Sequence, residues 1–434
     1  MHIRVERDAF VDALGPVQGV VEAKKTLPIL SHFLLEASPD GVWLFGTDLD
    51  VGLRRGLTAE VVTPGAVALS AKKLYEIARE LPQATVELQA DADLQVAIRC
   101  QRSSFRMKGL PRDEFPSLPD LKGDDRITLE TRLFRDMLRK TLFAVSSDQT
   151  RYALTGVMVQ VQAEEIRMVA TDGHRLALVR APRRAGKGGD TLEALVPKKA
   201  MVEAAKITRD DGGDVRVWLA ENQLILQQEA STLVARLIDG QFPNYDQVIP
   251  VPGPRKIVLG REALQGALRR TSAIMGERTT ATEFEFRPGR VLVSCINMDL
   301  GEAHEEIEAT YDGDGFKAGF NARYLLEFLG AIDAAEVALH ITDPLSPALF
   351  QAAGDEAYGC VISARGRFSR GSGQELEGFL CGGGRGETRT IRVASQAPVE
   401  NREGGRSTAK RAGSGGEDAP GRPRLTRRYG QDQR

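Results

Sequence analysis

No stretch of this 434-residue chain approaches the roughly 18 consecutive apolar residues that a membrane-spanning helix needs. The segment Met1 to Asp12 mixes charges with apolar residues and lacks the apolar core of a secretory leader. The four cysteines, Cys100, Cys295, Cys360 and Cys381, lie far apart with no paired spacing, which argues against a zinc site or a disulfide framework and suits a reducing cytosol. Catalytic patterns are equally scarce. Asp172-Gly173-His174-Arg175 has no nucleophile or metal-ligand spacing beside it, and His304-Glu305-Glu306 lacks the second histidine of a metalloprotease helix. Around Lys187 a phosphate loop would need a glycine five residues before Gly186, and a Ser or Thr where Gly188 stands; the segment reads as an inter-strand loop. No metal, cofactor or catalytic residue is expected. A nucleic-acid-processing enzyme, the competing class, would need clustered carboxylates for metal ions.

Net charge is also small, −2, but unevenly spread. From Arg365 onward there are 15 Lys+Arg and 8 Asp+Glu, about +7, which leaves the body before it near −9. An acidic body meets nucleic acid only if its positive charge is gathered on one surface.

What the chain does have is self-similarity. Ile3 to Leu14, Ile127 to Leu138 and Ile257 to Leu268 each open with apolar residues at i and i+2, then place them at i, i+3 and i+4. That is a strand followed by an amphipathic helix, and the offsets are 124 and 130 residues. A second helix recurs, with Leu74, Ile77 and Ala78, then Met201, Ala204 and Ala205, then Leu325, Phe328 and Leu329. Between them lie alternating runs that lead into polar turns at Thr47-Asp48, Thr171-Asp172-Gly173 and Asn297-Met298-Asp299. Phe115-Pro116 and Phe242-Pro243 read as exits. The expectation is an α+β chain of three repeated domains, 1–124, 125–252 and 253–362, each with two helices on antiparallel sheets.

In the helix at 131–141, Phe134, Met137 and Leu138 centre on one face, with Arg132, Arg135 and Arg139 roughly opposite. Lys72, Lys73, Lys198 and Lys199 add charge at the second helices. Basic side chains without interleaved aromatics point to phosphate contact rather than base stacking.

Four strings, Lys25-Thr-Leu-Pro-Ile-Leu30, Thr150-Arg-Tyr-Ala-Leu-Thr-Gly156, Val169-Ala-Thr-Asp-Gly-His-Arg-Leu176 and Leu237-Ile-Asp-Gly-Gln-Phe-Pro-Asn-Tyr245, stand in this order on the threefold repeat. Together they resemble the beta subunit sliding clamps of bacterial DNA polymerase III over residues 1 to 362. The resemblance implies a head-to-tail homodimeric ring around double-stranded DNA, held without sequence readout, helices inside and sheets outside. It implies DNA contacts at Lys24, Lys72, Asp148 and Tyr152; Asp148 stands where the family has a neutral amide, for which Gln149 substitutes. It implies an apolar cleft for peptides of the replicative DNA polymerase, clamp loader and repair proteins, built from Leu154, Thr171, Gly173, His174, Arg175, Leu176, Pro243, Val248, Ser346 and Val361. It implies a dimer seam pairing Phe105 with Ile274 and Met275, flanked by Lys73, Arg99 and Arg102 against Asp299, Glu302, Glu305 and Glu306.

After Tyr358 to Ile362, a last strand, the chain departs from the family's short Met-Pro-Met-Arg-Leu-like ending. Residues 363–434 are rich in Gly and Arg and poor in apolar residues, so disorder is expected. A basic tail for nucleic acid and an out-of-frame extension of a GC-rich gene are the two readings; the composition favours the second.

Overall fold

The computed structural model describes residues 1–21, 27–116, 127–183, 191–209, 213–220, 222–250, 255–276 and 281–364. Lys24, the boundaries expected near Asp124 and Pro252, the loop around Lys187 and the segment from Arg365 lie outside the described residues.

Each of the three self-similar segments forms its strand and helix. The strands are His2–Glu6, Ile127–Glu130 and Arg255–Gly260; the helices are α1 (Arg7–Val20), α3 (Thr131–Thr141) and α5 (Arg261–Ser272). The second helices are α2 (Ala71–Glu80), α4 (Lys198–Ile207) and α6 (Ala322–Gly330). Counting from the first residue of each first helix, Phe10, Phe134 and Leu264 coincide, as do Leu14, Leu138 and Leu268, and all six are buried. α1 is a poor helix by composition, with Gly15, Pro16 and Gly19 inside it. It is held by packing on α2 and α4; at Gly19 a side chain would collide with the Glu203 carboxylate, 2.4 Å from where its Cβ would stand.

The repeats are joined through their sheets. An eight-stranded sheet runs from the second repeat into the first, where Ser231–Arg236 pairs antiparallel with Val51–Leu57. A twelve-stranded sheet runs from the second repeat into the third, where Arg175–Pro182 pairs with Tyr358–Ile362. The five-stranded sheet of the first repeat ends at Ser103–Lys108. The main core lies between the helices and the inner sheet faces; three smaller apolar clusters, with no α-helical residue, cover the outer faces.

Two polar devices recur that sequence periodicity does not reveal. Arg7, Arg135 and Arg261 each reach from a first helix to carbonyls at the end of the second helix of the same repeat: Ala78 and Arg79, Ala205 and Thr208, and Leu329. They satisfy acceptors that a helix end leaves open. The hairpin turn carries Asp48, Asp172 or Asn297, whose side-chain oxygen accepts amides two and three residues on. Asp48 also accepts Lys199 of the next repeat at 2.6 Å.

Asp48→Ala removes the two carboxylate bonds of the turn and leaves Lys199 with the Val20 carbonyl but without the Asp48 counter-charge. It should lower unfolding free energy by about 3 kcal/mol or less, under the roughly 3–5 kcal/mol of a fully buried pair because Lys199 is half-buried. Asp48→Asn, which keeps the turn, should cost less. Denaturant unfolding of the two variants checks the order.

Candidate DNA and partner interfaces

The expected basic stripe on α3 is only partly available to a ligand. Arg132 is exposed. Arg135 is spent on the end of α4. Arg139 forks onto Asp333 beyond α6, at 3.0 and 2.7 Å, and also bonds Asp136. Lys72 and Lys73 stand exposed on α2, near Glu76 at 3.9 and 2.8 Å. Lys198 is half-buried and donates to the Val145 carbonyl at 3.4 Å. Tyr152 is exposed, as are Asp148 and Gln149. Bonds from the Thr150 hydroxyl and amide hold the Asp148 carboxyl below its usual range, so a negative charge sits in this loop.

The cleft residues divide by strand alternation. Leu154, Leu176 and Val361 are buried with Met158, Val169, Phe242 and Leu349 in one outer-face cluster. Leu176 and Val361 are register partners across the second and third repeats. Pro243, Val248, His174 and Ser346 are half-buried, the last bonded to Asp343. Thr171 uses its hydroxyl inside the turn, donating to the Arg175 carbonyl and accepting the amide of Gly173. Gly173 has φ +88, which suits a residue without Cβ. Arg175 follows the alternation inward. Its guanidinium bonds Asp172, Glu327 and the Phe143 carbonyl and lies 4.3 Å over the Tyr324 ring. It sits beneath the outer face rather than in it.

The seam residues lie at two ends of the chain. Phe105 is on Ser103–Lys108, an edge strand among the described residues, and is 38 % exposed; Arg99 and Arg102 are exposed near it. Ile274 and Met275 are half-buried after α5. Of the acids, Asp299 and Glu302 are exposed. Glu305 is engaged by Arg270, with both bonds at 2.8 Å, which holds its carboxyl low; Glu306 reaches Arg290 at 3.3 Å. The stretch Gly301–Thr310 pairs with Arg290–Asn297 on one side, but on the other, among the described residues, only its last two residues find a strand.

These repeats match, in order, the N-terminal, central and C-terminal domains of the DNA polymerase III beta subunit, over residues 1–119, 128–244 and 246–364. The chain belongs to the beta sliding clamp family. It is 36% identical to the beta sliding clamp of Caulobacter vibrioides over 355 residues, 80% of this chain and 95% of that protein. With the Escherichia coli K12 clamp the identity is 29% over 366 residues, 83% and 99% of the two chains. The crystal structure of the Bacillus subtilis clamp superposes with a TM-score of 0.81 at 28% identity, covering 85% of this chain and all of that one. That of Bartonella birtlesii, bound to griselimycin, gives 0.80 at 32%, covering 84% and 99%. The protein is thus a DNA sliding clamp, a non-catalytic processivity factor of DNA replication. Among the described residues no helix is long and apolar enough to cross a membrane.

The fork between Arg139 and Asp333 ties the second repeat of the clamp to the third. It holds the Asp333 carboxyl below its usual range, chiefly through the Arg139 bonds. A depressed carboxyl stabilises the fold above the ordinary aspartate range, near pH 4, and that contribution is lost as pH falls through the lowered value. Both groups are largely exposed, so about 1 kcal/mol or less is at stake. Thermal unfolding of wild type against Asp333→Asn should differ at neutral pH and converge in acid.

Proposed function

We propose that two copies of the clamp close head to tail into a ring around duplex DNA, with the domains spanning 1–124, 125–252 and 253–362. The observation that carries this is a junction made twice within the chain and left open once. In both intrachain junctions the last strand of one repeat adds to the fourth strand of the repeat before it. Among the described residues, the matching pieces without a neighbour are the strand Ser103–Lys108 and the open side of Gly301–Thr310. Burial supports the same reading. Phe105 matches Leu233 and Cys360, both buried; Ile274 matches Val20 and Ala144, both buried. Phe105 and Ile274 are core positions that lack the adjoining repeat.

The internal registers, Leu233 opposite Leu53 and Cys360 opposite Ala177, transfer to the seam. They set Phe105 opposite Ala303 of a second copy. Arg106 then faces Glu302, and Arg102 faces Glu306. An arginine-bearing edge against a glutamate-bearing edge suits a heterologous, ring-closing contact.

Within the ring, Lys24, Lys72, Arg132, Gln149, Tyr152 and Lys198 are the proposed DNA-facing groups, Asp148 beside them; Arg135, bonded to carbonyls, adds positive potential, while the charge of Arg139 is offset by Asp136 and Asp333. Phosphate contacts position a duplex without reading its sequence. The outer cluster around Leu154, Leu176 and Val361 offers anchors for a short apolar peptide of the replicative polymerase, the clamp loader or repair proteins, in the cytoplasm. Gly173, His174, Pro243, Val248 and Ser346 border it, while Thr171 and Arg175 shape it from behind.

Clamp loaded on nicked circular DNA should stay bound and be lost when the circle is cut; equal loss from circular and linear DNA would remove the ring. Ile274→Arg with Met275→Arg should yield monomers in sedimentation, because two unpaired charges would be buried against Phe105. Replacing residues from Ser363 onward by Met-Pro-Met-Arg-Leu should tighten a labelled Gln-Leu-x-Leu-Phe peptide. One regained apolar wall residue is worth about 1.5–3 kcal/mol at full burial, roughly ten- to a hundredfold in affinity. Fluorescence anisotropy reads this directly.

A further inference from the structure

The three hairpin turns hold their neighbours by different chemistry, and the difference falls at the open junction. At the first junction Asp48 is buried and Lys199, the second residue of α4, donates to it and to the Val20 carbonyl at 2.7 Å. At the second, Arg175 joins Asp172 to Glu327 of α6. Each intrachain junction therefore crosses from one repeat to the next through a largely buried ion pair.

The third turn carries Asn297. Its oxygen accepts the amides of Asp299 and Leu300, as Asp48 accepts those of Asp50 and Val51. Its Nδ2 donates to the Ile274 carbonyl at 2.8 Å. Ile274 is the counterpart of Val20, so the amide occupies on its own chain the seat that the Lys199 ammonium fills from the next repeat. The opposing helix is equally self-contained. α2 carries Lys72 where α4 has Lys199, and Glu76 where α6 has Glu327, and Lys72 and Lys73 both lie by Glu76.

We infer that Asn297 makes the seam the junction built to part: it replaces the cross-junction ion pair with a bond inside one protomer, so opening leaves no buried charge without a counterion. The inference rests on the ring reading above. Removing one partner of a buried pair is strongly unfavourable, whereas a neutral amide already bonded to its own backbone loses nothing when the neighbour leaves. The charges across the strand edges, Arg106 with Glu302 and Arg102 with Glu306, sit where water replaces a lost partner cheaply.

Subunit exchange between donor- and acceptor-labelled full-length clamps, without DNA, tests this. Asn297→Asp keeps the turn acceptor and presents a carboxylate to Lys72 of a second copy. Exchange should slow at least tenfold, and Lys72→Ala should abolish the slowing. In the native Asn297 background, Lys72→Ala alone should leave exchange within about twofold, since Lys72 there has no partner across the seam. Unslowed exchange for Asn297→Asp, slowing that survives Lys72→Ala, or a tenfold effect of Lys72→Ala in the native background would each overturn the inference while the ring stands. A wild-type chain that sediments as a monomer at every concentration would remove the ring reading and this inference with it.

Discussion

A strand edge that cannot be left open governs this molecule. Backbone donors and acceptors along an unpaired strand need partners, and each repeat presents such an edge with half an apolar seat behind it. Within the chain the problem is solved twice, by Ser231–Arg236 on Val51–Leu57 and by Tyr358–Ile362 on Arg175–Pro182. The side chains behind those edges, Leu233 and Val20 at one junction, Cys360 and Ala144 at the other, are buried because a neighbour is present. The exposure of Phe105 is the same constraint without the neighbour.

Polar groups then decide what kind of joint each junction is. At the two intrachain junctions a largely buried ion pair, Asp48 with Lys199 and Arg175 with Glu327, resists separation, whereas the Asn297 carboxamide is bonded to its own chain. The buried cysteines serve the fold: Cys295 and Cys360 lie in packed surroundings, and the Cys100 thiol also donates to the Pro82 and Ala84 carbonyls. Burial pushes the Cys100 and Cys295 thiols up and Cys360 to about 12, far from any reactive thiolate.

The repeat, the strand-then-helix order and the helix faces were legible in the sequence, because apolar periodicity reports which side of an element is buried. Phe10, Phe134 and Leu264 all fall where that pattern puts them. The roles of charged residues were not legible, since they depend on what lies beyond the local helix. Arg132 and Arg135 look alike on a helical wheel. Only the placement of α4 shows that Arg135 faces carbonyls, and only the segment after α6 shows that Arg139 faces Asp333. Arg175 reads as a polar group of the peptide cleft until alternation along its strand sends it inward while Leu176 faces out. Asn297 carried a faint signal: an amide where two aligned turns have aspartate.

The composition of α1 bears on how the chain acquires its structure. A segment with Pro16 between Gly15 and Gly19 gives up several kcal/mol of intrinsic helix preference, so its ordering depends on tertiary support. Part of that support is α4, whose Glu203 carboxylate packs against Gly19 and whose Lys199 reaches the Val20 carbonyl. These groups lie about 180 residues further along the chain. During synthesis the first repeat can therefore pack α1 on its own α2 and sheet, but gains the contacts of Gly19 and Val20 only once the second repeat has been made.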